Sequence, residues 1–235
     1  MATEMAIRGT HDWVMNIVSE AISVSRQTRV LDIGAGQGSL SAKLQDAGLS
    51  ISACDVEPSL FQVPGIECRR CDESGALPFA DREFHLAVAV EVMEHIDGHS
   101  RFFSEVARVL QPGGKLIFTT PNILSLKSRL TFLLTGFFYS FPALVPSTRD
   151  PARQHISPFS LNRYAWMLSQ HGLTVDRVAT DKFQRSSLLL AFLVPFVRLR
   201  VYLRFGRASA GRDQNSAVAL FGRKLLIVAS KASAT

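Results

Sequence analysis

A short apolar strand that runs into a loop of alternating glycines is the feature that most constrains this chain. Residues 30–38 read Val-Leu-Asp-Ile-Gly-Ala-Gly-Gln-Gly, so Asp32 stands just before glycines at every second position. A loop of this composition lets the backbone approach a ligand closely and directs its N–H groups toward it. The sequence therefore predicts a strand, a ligand-binding loop and then a helix, as in open α/β sheets.

The spacing of the glycines separates two kinds of nucleotide-binding loop. A dinucleotide-binding loop reads G-x-G-x-x-G, and its third small residue would fall at Ser39. Here the third glycine, Gly38, comes one residue earlier. This spacing argues against a dehydrogenase, which is the first rival interpretation. The second rival is a non-catalytic binding protein on the same fold.

Predicted strands and helices alternate along the chain, which is typical of a parallel sheet covered by helices on both faces. At 235 residues, 47% of them hydrophobic, the chain is long enough for one sizeable core, and we expect a single domain over residues 1–235. The predicted strands are 29–33, 50–54, 66–70, 84–90, 115–120, 173–179 and 218–229. The predicted helices are 10–25, 38–47, 99–110 and 158–171.

Four motifs in order resemble the class I S-adenosylmethionine (SAM) methyltransferases, and in particular the ubiquinone-pathway O-methyltransferases and general methyltransferase domains. They are the glycine loop, an acidic residue ending the second strand, Cys-Asp-Glu-Ser-Gly-Ala-Leu-Pro-Phe at 71–79, and the Pro-Gly-Gly stretch within 108–122. The resemblance covers residues 28–125 well and 155–180 loosely. It implies a Rossmann-like, mostly parallel sheet of seven strands with helices on both faces and an antiparallel last strand.

The resemblance also implies which residues bind SAM. The three loop glycines would run against the amino-acid and ribose portions, while Asp32 would orient the loop or meet the ammonium group. A carboxylate at the end of the second strand can accept both ribose hydroxyls, and Asp55 stands there. Val56 would pack on the adenine, and Asp72 would contact its amino group. The implied SAM-binding residues are Asp32, Gly34, Gly36, Gly38, Asp55, Val56, Asp72, Glu73 and Glu91.

Two carboxylates and a histidine follow the fourth predicted strand, where ligands bind in such folds. If this segment is helical, Glu91, Glu94 and His95 share one face by their spacing. Together with His155 they would form a site for Mg²⁺ or another divalent metal. Two alternatives stay open: His95 or His155 acts as a base or a hydrogen-bonding group toward the substrate, or the set is structural and His95 caps a helix.

The Glu-x-x-Glu-His pattern with a later histidine resembles two metal-assisted groups. One is the ubiquinone-pathway O-methyltransferases, which act on catechol-like rings, and the other is the small-RNA 3′-terminal 2′-O-methyltransferases. The net charge of +6 suits an anionic partner such as RNA, but the sequence shows no separate RNA-binding module and no basic-aromatic stacking pattern. We therefore expect O-methylation of a small, hydrophobic or lipid-linked acceptor, with Glu94, His95 and His155 as catalytic residues.

Two apolar inserts, at about 123–154 and 182–216, do not belong to the minimal alternating pattern. The first lacks charged residues from Leu130 to Thr148, and we interpret it as a lid over an apolar substrate or as a packing insert. A membrane span is not expected there, because glycine and prolines interrupt it. In the second, the apolar run Leu188–Val197 precedes several arginines, which indicates either a peripheral membrane contact or a helical cap with a solvated basic end.

Cysteine usage and the N-terminal sequence bear on the compartment. Cys68 and Cys71 have a C-x-x-C spacing, but a single pair is a weak zinc or redox signal, so we expect reduced thiols. The N-terminus has no basic-then-apolar signal peptide. These features favour a cytoplasmic protein, with membrane association as the open alternative.

Overall fold

A seven-stranded sheet organises the computed structural model, which describes residues 6, 9–72, 75–148 and 154–233. The strands are β1 Arg29–Ile33, β2 Ser50–Asp55, β3 Cys68–Arg70, β4 Phe84–Ala89, β5 Leu110–Pro121, β6 Leu173–Ala179 and β7 Lys224–Lys231. Their spatial order is β3-β2-β1-β4-β5-β7-β6.

Strand directions confirm the predicted fold class. The neighbouring pairs from β3 through β5 are parallel, and β7 runs antiparallel to both β5 and β6. The carboxyl ends of β1, β2, β4 and β5 therefore lie at one edge of the sheet, where such folds bind their ligands.

Helices cover both faces of this sheet. They are α1 Thr10–Ala21, α2 Ser39–Asp46, α3 His99–Val109, α4 Leu126–Thr135, α5 Leu161–Gln170, α6 Arg185–Leu189, α7 Val194–Phe205, α8 Ser209–Asp213 and α9 Ala217–Phe221. Side chains alternate along β1, so Leu31 packs in the cluster under α3 and α5, whereas Val30 packs in the cluster under α1 and α2. Both strand residues are fully buried, and the two clusters hold the strand ends at this edge in place.

The last predicted strand, 218–229, begins too early. Residues Ala217–Phe221 form α9, and β7 starts only at Lys224. Ser216 caps this helix, because its hydroxyl accepts a hydrogen bond from the N–H of Ala219 at 3.3 Å. A short apolar run fits a buried helix as well as a strand, so periodicity alone did not separate the two. Two predicted helices are also too long, since α1 ends at Ala21 and α5 begins at Leu161.

Both apolar inserts contain short helices. The first, 123–154, contains α4 and an irregular segment of turns after it, although residues 149–153 lie outside the described part of the chain. The second, 182–216, contains α6, α7 and α8. Within the described ranges, none of the helices is long and apolar enough to cross a membrane.

Candidate active site

The loop after β1 has a backbone that only glycine adopts easily. Gly34, Gly36 and Gly38 have φ values of 71°, 51° and 90°. The N–H of Gly34 donates to the carbonyl of Cys54 at 2.9 Å, which ties the loop to the end of β2. A Cβ atom on Gly34 would overlap the side chain of Val92, and one on Gly38 would overlap that of Val63. The loop is thus a close-fitting cradle that side chains would fill.

Asp55 holds the glycine loop from the end of β2. Its Oδ2 accepts a hydrogen bond from the N–H of Gly36 at 2.8 Å, and its Oδ1 accepts one from the N–H of Glu57 at 2.9 Å. Each carboxylate oxygen has a second lone pair, so this arrangement is compatible with the expected bonds to two ribose hydroxyls. Asp55 therefore supports the loop in addition to any contact with the cofactor.

Asp32 is buried at the end of β1 and contacts the helix that follows the loop. Its Oδ2 accepts a hydrogen bond from the hydroxyl of Ser41 on α2 at 2.6 Å. Burial raises the pKa of Asp32 to about 6, although the bond from Ser41 opposes this shift. Of the two roles predicted for Asp32, this geometry matches the one that orients the loop and its helix.

Two further predicted donor-side residues, Val56 and Asp72, lie at the same edge. Val56 is half-buried immediately after β2. Asp72 follows Cys71, whose N–H donates to the carbonyl of Asp55 at 3.0 Å, so the loop after β3 lies beside the end of β2. Glu73 lies outside the described residues.

Glu91 is held by residues from two other strands. Its Oε2 accepts a hydrogen bond from Nζ of the buried Lys224 on β7 at 2.6 Å, and its Oε1 accepts one from the hydroxyl of Thr119 on β5 at 3.2 Å. Its φ of 57° is left-handed, so Glu91 does not continue the turn formed by residues 93–95. This differs from the predicted helical face, on which Glu91 would stand beside Glu94 and His95.

The other three predicted metal ligands come together. One carboxylate oxygen of Glu94 and one ring nitrogen each of His95 and His155 all lie within 4.8 Å of one another. The two imidazole rings meet edge to face, with centroids 5.1 Å apart. Within the described residues, these three side chains form the group that could hold a metal ion. Glu91 and the three free cysteines do not belong to this group.

Backbone hydrogen bonds bring His155 to this position. The carbonyl of Glu94 accepts a bond from the N–H of Ile156 at 2.8 Å, and the hydroxyl of Ser157 donates to the carbonyl of Ile96 at 2.6 Å. The segment that starts at residue 154 is thereby joined to the turn after β4. The two segments are far apart in the sequence, and these hydrogen bonds place His155 next to His95.

Each imidazole of the pair is oriented by a backbone carbonyl. Nδ1 of His95 lies 2.8 Å from the carbonyl oxygen of Gln154, and Nδ1 of His155 lies 2.6 Å from that of Ser140. A carbonyl accepts only, so each Nδ1 carries a hydrogen, and Nε2 is the nitrogen of each ring that can offer a lone pair to a metal. Histidine ligands of metals are commonly oriented in this way.

Glu94 is buried and keeps one carboxylate oxygen without a partner. The residue is 1% exposed, and its Oε2 has no hydrogen-bond partner. Burial and the nearby charge of Glu91 raise the pKa of Glu94 to about 8. An unpaired polar atom in the interior is costly, so this oxygen is poised for a cation or a donor group. The donor chemistry of the group fits a divalent ion.

Sequence reasoning missed several residues around the site. Lys224 and Thr119 hold Glu91, and no local pattern marked them. No sequence motif marks His99, yet it is 2% exposed, and its Nε2 lies 2.9 Å from the carbonyl oxygen of Met93. Burial lowers the pKa of His99 to about 4, so it is a neutral structural residue beneath the turn that carries Glu94.

Comparisons with known proteins identify the family. The family model described as "Methyltransferase domain" matches residues 12–178. The chain therefore belongs to the methyltransferase-domain family, and SAM is the cofactor of this class of enzymes. The glycine loop, Asp55 and the loop after β3 all lie within the matched residues.

Curated relatives are methyltransferases of quinone pathways. Ubiquinone biosynthesis O-methyltransferase from Coxiella burnetii is 31% identical over 144 residues, which are 58% of this chain and 60% of that protein. Demethylmenaquinone methyltransferase from Tropheryma whipplei is 29% identical over 102 residues, which are 41% of this chain and 43% of that protein. The matches therefore span about half the length of these relatives.

Solved structures share the fold at low sequence identity. A SAM-dependent methyltransferase from Archaeoglobus fulgidus superimposes with a TM-score of 0.60 at 18% identity, covering 95% of this chain and 96% of that one. A second, from Mesorhizobium loti, has a TM-score of 0.59 at 16% identity, covering 95% and 99%. These neighbours support the Rossmann-like fold class.

Proposed function

We propose that this chain transfers the methyl group of SAM to a hydroxyl oxygen of a small, hydrophobic or lipid-linked acceptor, with a divalent metal held by Glu94, His95 and His155. The observation that carries the proposal is the cluster of these three side chains, with its unpartnered Glu94 Oε2. Glu94 and His95 lie in the turn after β4, the strand that neighbours β1, and Val92 of the same segment lies against Gly34. The relative from Coxiella burnetii is named an O-methyltransferase of ubiquinone biosynthesis, which favours an oxygen acceptor.

Donor-side residues would align the methyl group. Transfer from a sulfonium is an in-line displacement, so holding the two reacting groups in line supplies most of the acceleration. The glycine loop and Asp55 would hold the amino-acid and ribose portions of SAM. The acceptor oxygen then forms a bond to the methyl carbon while the carbon–sulfur bond breaks. The electron pair of the broken bond stays on sulfur.

Acceptor-side residues would prepare the hydroxyl. A hydroxyl must lose its proton to become a good nucleophile, and a bound divalent ion would lower the pKa of that hydroxyl as a Lewis acid, so that the proton passes to solvent water. One carboxylate and two imidazoles suit Mn²⁺ or a similar transition metal better than Mg²⁺, which prefers oxygen ligands. The carbonyls of Gln154 and Ser140 would keep the two imidazoles in the orientation that presents Nε2.

The test uses isotope-labelled SAM with three acceptors: a prenylated catechol, a demethylmenaquinone analogue and an RNA with a free 3′ end. We expect mass spectrometry to find the label on a catechol oxygen. We also expect EDTA to abolish turnover and Mn²⁺ to restore it. A carbon-methylated ring or a methylated RNA ribose would overturn the acceptor, and turnover that resists the chelator would overturn the metal.

A variant pair separates the metal site from general damage. Glu94→Gln keeps the shape of the side chain but removes the anionic ligand, so we expect Mn²⁺ binding and turnover to fall together while SAM binding stays unchanged. Glu67→Gln is the control, because Glu67 is exposed beside β3. Equal Mn²⁺ affinity in the two variants would contradict the assignment.

A further inference from the structure

One surface of the molecule combines exposed apolar side chains with arginines, and we call it the α7 surface. It consists of Phe196, Leu199 and Leu203 with the flanking Arg198, Arg200 and Arg204. The apolar members are 69%, 57% and 68% exposed. A soluble helix normally buries its apolar stripe, so an exposed stripe marks a contact with something outside the chain.

The geometry of α7 sorts these residues into separate stripes. An α-helix turns by about 100° per residue, so Phe196, Leu199 and Leu203 lie along one line. By the same rotation, Arg200 and Arg204 lie about 70° and about 110° to one side of this line, and Arg198 lies about 130° to the other side. Arginine side chains can extend away from an apolar layer and place their charge at its polar boundary. This arrangement is typical of a helix that lies in the plane of a membrane surface.

Charge around α7 has a single sign. Between Asp181 and Asp213 the sequence contains no acidic residue, and its basic residues are Lys182, Arg185, Arg198, Arg200, Arg204, Arg207 and Arg212. None of the three arginines of the α7 surface forms an ion pair with a residue in the described ranges. An unneutralised basic surface around an apolar stripe complements anionic lipid headgroups.

A second exposed apolar segment, at α4 in the first insert, contacts the second insert, which contains α7. Leu133 and Leu134 of α4 are 79% and 73% exposed. The N–H of Lys127 on α4 donates to the hydroxyl of Ser187 on α6 at 3.3 Å. The guanidinium of Arg129 also donates to the side chain of Asn215 at 2.7 Å. The two inserts are therefore packed together.

The first insert also reaches the acceptor side of the site. The carbonyl of Ser140 orients His155, and the ring of Phe141 packs against that imidazole with centroids 5.5 Å apart. One segment of chain thus contacts the site through residues 140–141 and leads directly from the exposed end of α4.

We propose that the α7 surface binds the surface of an anionic phospholipid bilayer, with α7 lying in the membrane plane. Lipid headgroups neutralise Arg198, Arg200 and Arg204, while Phe196, Leu199 and Leu203 enter the apolar boundary. At 12 residues α7 is too short to cross the bilayer and suits this orientation. The inference goes beyond the proposed function, and it does not depend on the identity of the methyl acceptor.

Vesicle sedimentation without any methyl acceptor tests the inference. The probes are phosphatidylcholine vesicles and vesicles that contain about 30% phosphatidylglycerol, in low salt. We expect the chain to bind the anionic vesicles at least about tenfold more tightly, since each basic residue near such a surface adds to binding. Replacing Arg198, Arg200 and Arg204 by Gln should weaken binding by about 100-fold by the same measure.

Two further variants complete the experiment. Replacing Phe196, Leu199 and Leu203 by Ser should abolish binding to both kinds of vesicle. Replacing Arg26, Arg82 and Arg101 by Gln removes the same charge from exposed positions outside this surface, and binding should stay close to the unaltered level. Equal binding by all variants, or no binding by the unaltered chain, would overturn the proposal.

A second copy of this chain is the competing occupant of the same surface. Light scattering on the unaltered chain, without vesicles, measures this outcome. A dimer that the Phe196, Leu199 and Leu203 substitutions dissociate, together with absent vesicle binding, would replace the membrane by a self-association interface. A monomer that sediments with anionic vesicles would support the proposal.

Discussion

The proposed donor half and the proposed acceptor half of the site are built in different ways. The donor half, which comprises the glycine loop, Asp32 and Asp55, comes from one continuous stretch that runs from β1 to the end of β2. The acceptor half, which comprises Glu94, His95 and His155, joins the turn after β4 to a segment beyond an apolar insert. The donor half is thus local in sequence, whereas the acceptor half depends on how the insert packs.

The carboxylates of the two halves also differ in their hydrogen bonding. Each carboxylate of the donor half is hydrogen-bonded by groups of the protein, as the bonds from Gly36 and Ser41 show. In the acceptor half, Oε2 of Glu94 is buried without a partner. A satisfied site is rigid before its ligand arrives, while an unsatisfied one gains stability when a ligand binds. We infer that the donor half is preorganised and that the acceptor half is completed by its ligand.

Removing the Asp55 carboxylate should give the largest effect and should be confined to the donor half. We expect Asp55→Ala to weaken SAM binding by about 100-fold, because hydrogen bonds to a charged group contribute about 1.5–3 kcal/mol each. Isothermal titration calorimetry measures this change. Asp46→Ala, at the exposed end of α2, is the matched control. An affinity for SAM equal to that of the control would exclude the ribose contact.

Removing His155 should act on the acceptor half alone. We expect His155→Ala to weaken Mn²⁺ binding by about 10- to 100-fold, a range seen even for residues that only support metal ligands. Electron paramagnetic resonance of free Mn²⁺ gives the binding constant, and calorimetry should show unchanged SAM affinity.

The control for that variant is His171→Ala. His171 is half-buried, and its Nε2 lies 3.1 Å from the hydroxyl of Ser100, outside the cluster. Loss of SAM affinity in the His155 variant would show that the two halves are coupled and would break the comparison.

Replacing Asp32 should give the smallest effect, which is on stability. The folded pKa of about 6 lies above the ordinary aspartate pKa of 3.8, so the folded chain binds more protons than the unfolded chain between these values. Stability from this group is therefore present at low pH and is lost as pH rises through about 6. Asp32→Asn removes that loss, and its free energy of unfolding at neutral pH should exceed that of the unaltered chain by about 1–3 kcal/mol.

Urea unfolding at several pH values checks this sign. The difference between the two proteins should grow from pH 4 to pH 7 and then stay constant, since other groups titrate alike in both. A difference that shrinks over this interval would contradict the raised pKa. Ser41→Ala offers a second readout, because it removes the bond that favours the charged form of Asp32.

The glycine loop and the position of Asp55 at the end of β2 could be predicted from the sequence because their signals are local. The positive φ values of the loop require glycine, and an acidic residue at the end of β2 stands next to the loop in any parallel β1–β2 pair. Glu91 was predicted as a site residue, but its pairing with Lys224 was not, because Lys224 lies on β7, far along the chain. The predicted start of β7 was wrong because the apolar residues of Ala217–Phe221 fit a short buried helix as well as a strand. The cap at Ser216 favours the helix.

The place of β7 in the sheet has a consequence for folding during synthesis. β7 lies between β5 and β6, although it follows both in the chain. While a ribosome is still producing residues up to Ala179, β6 lacks β7, its partner strand in the folded sheet. Glu91 likewise lacks Lys224, the cation that pairs with it. The charge of Glu91 can therefore be neutralised only after β7 has left the ribosome. Until then, a growing chain presents an unpaired edge of β5 to other molecules.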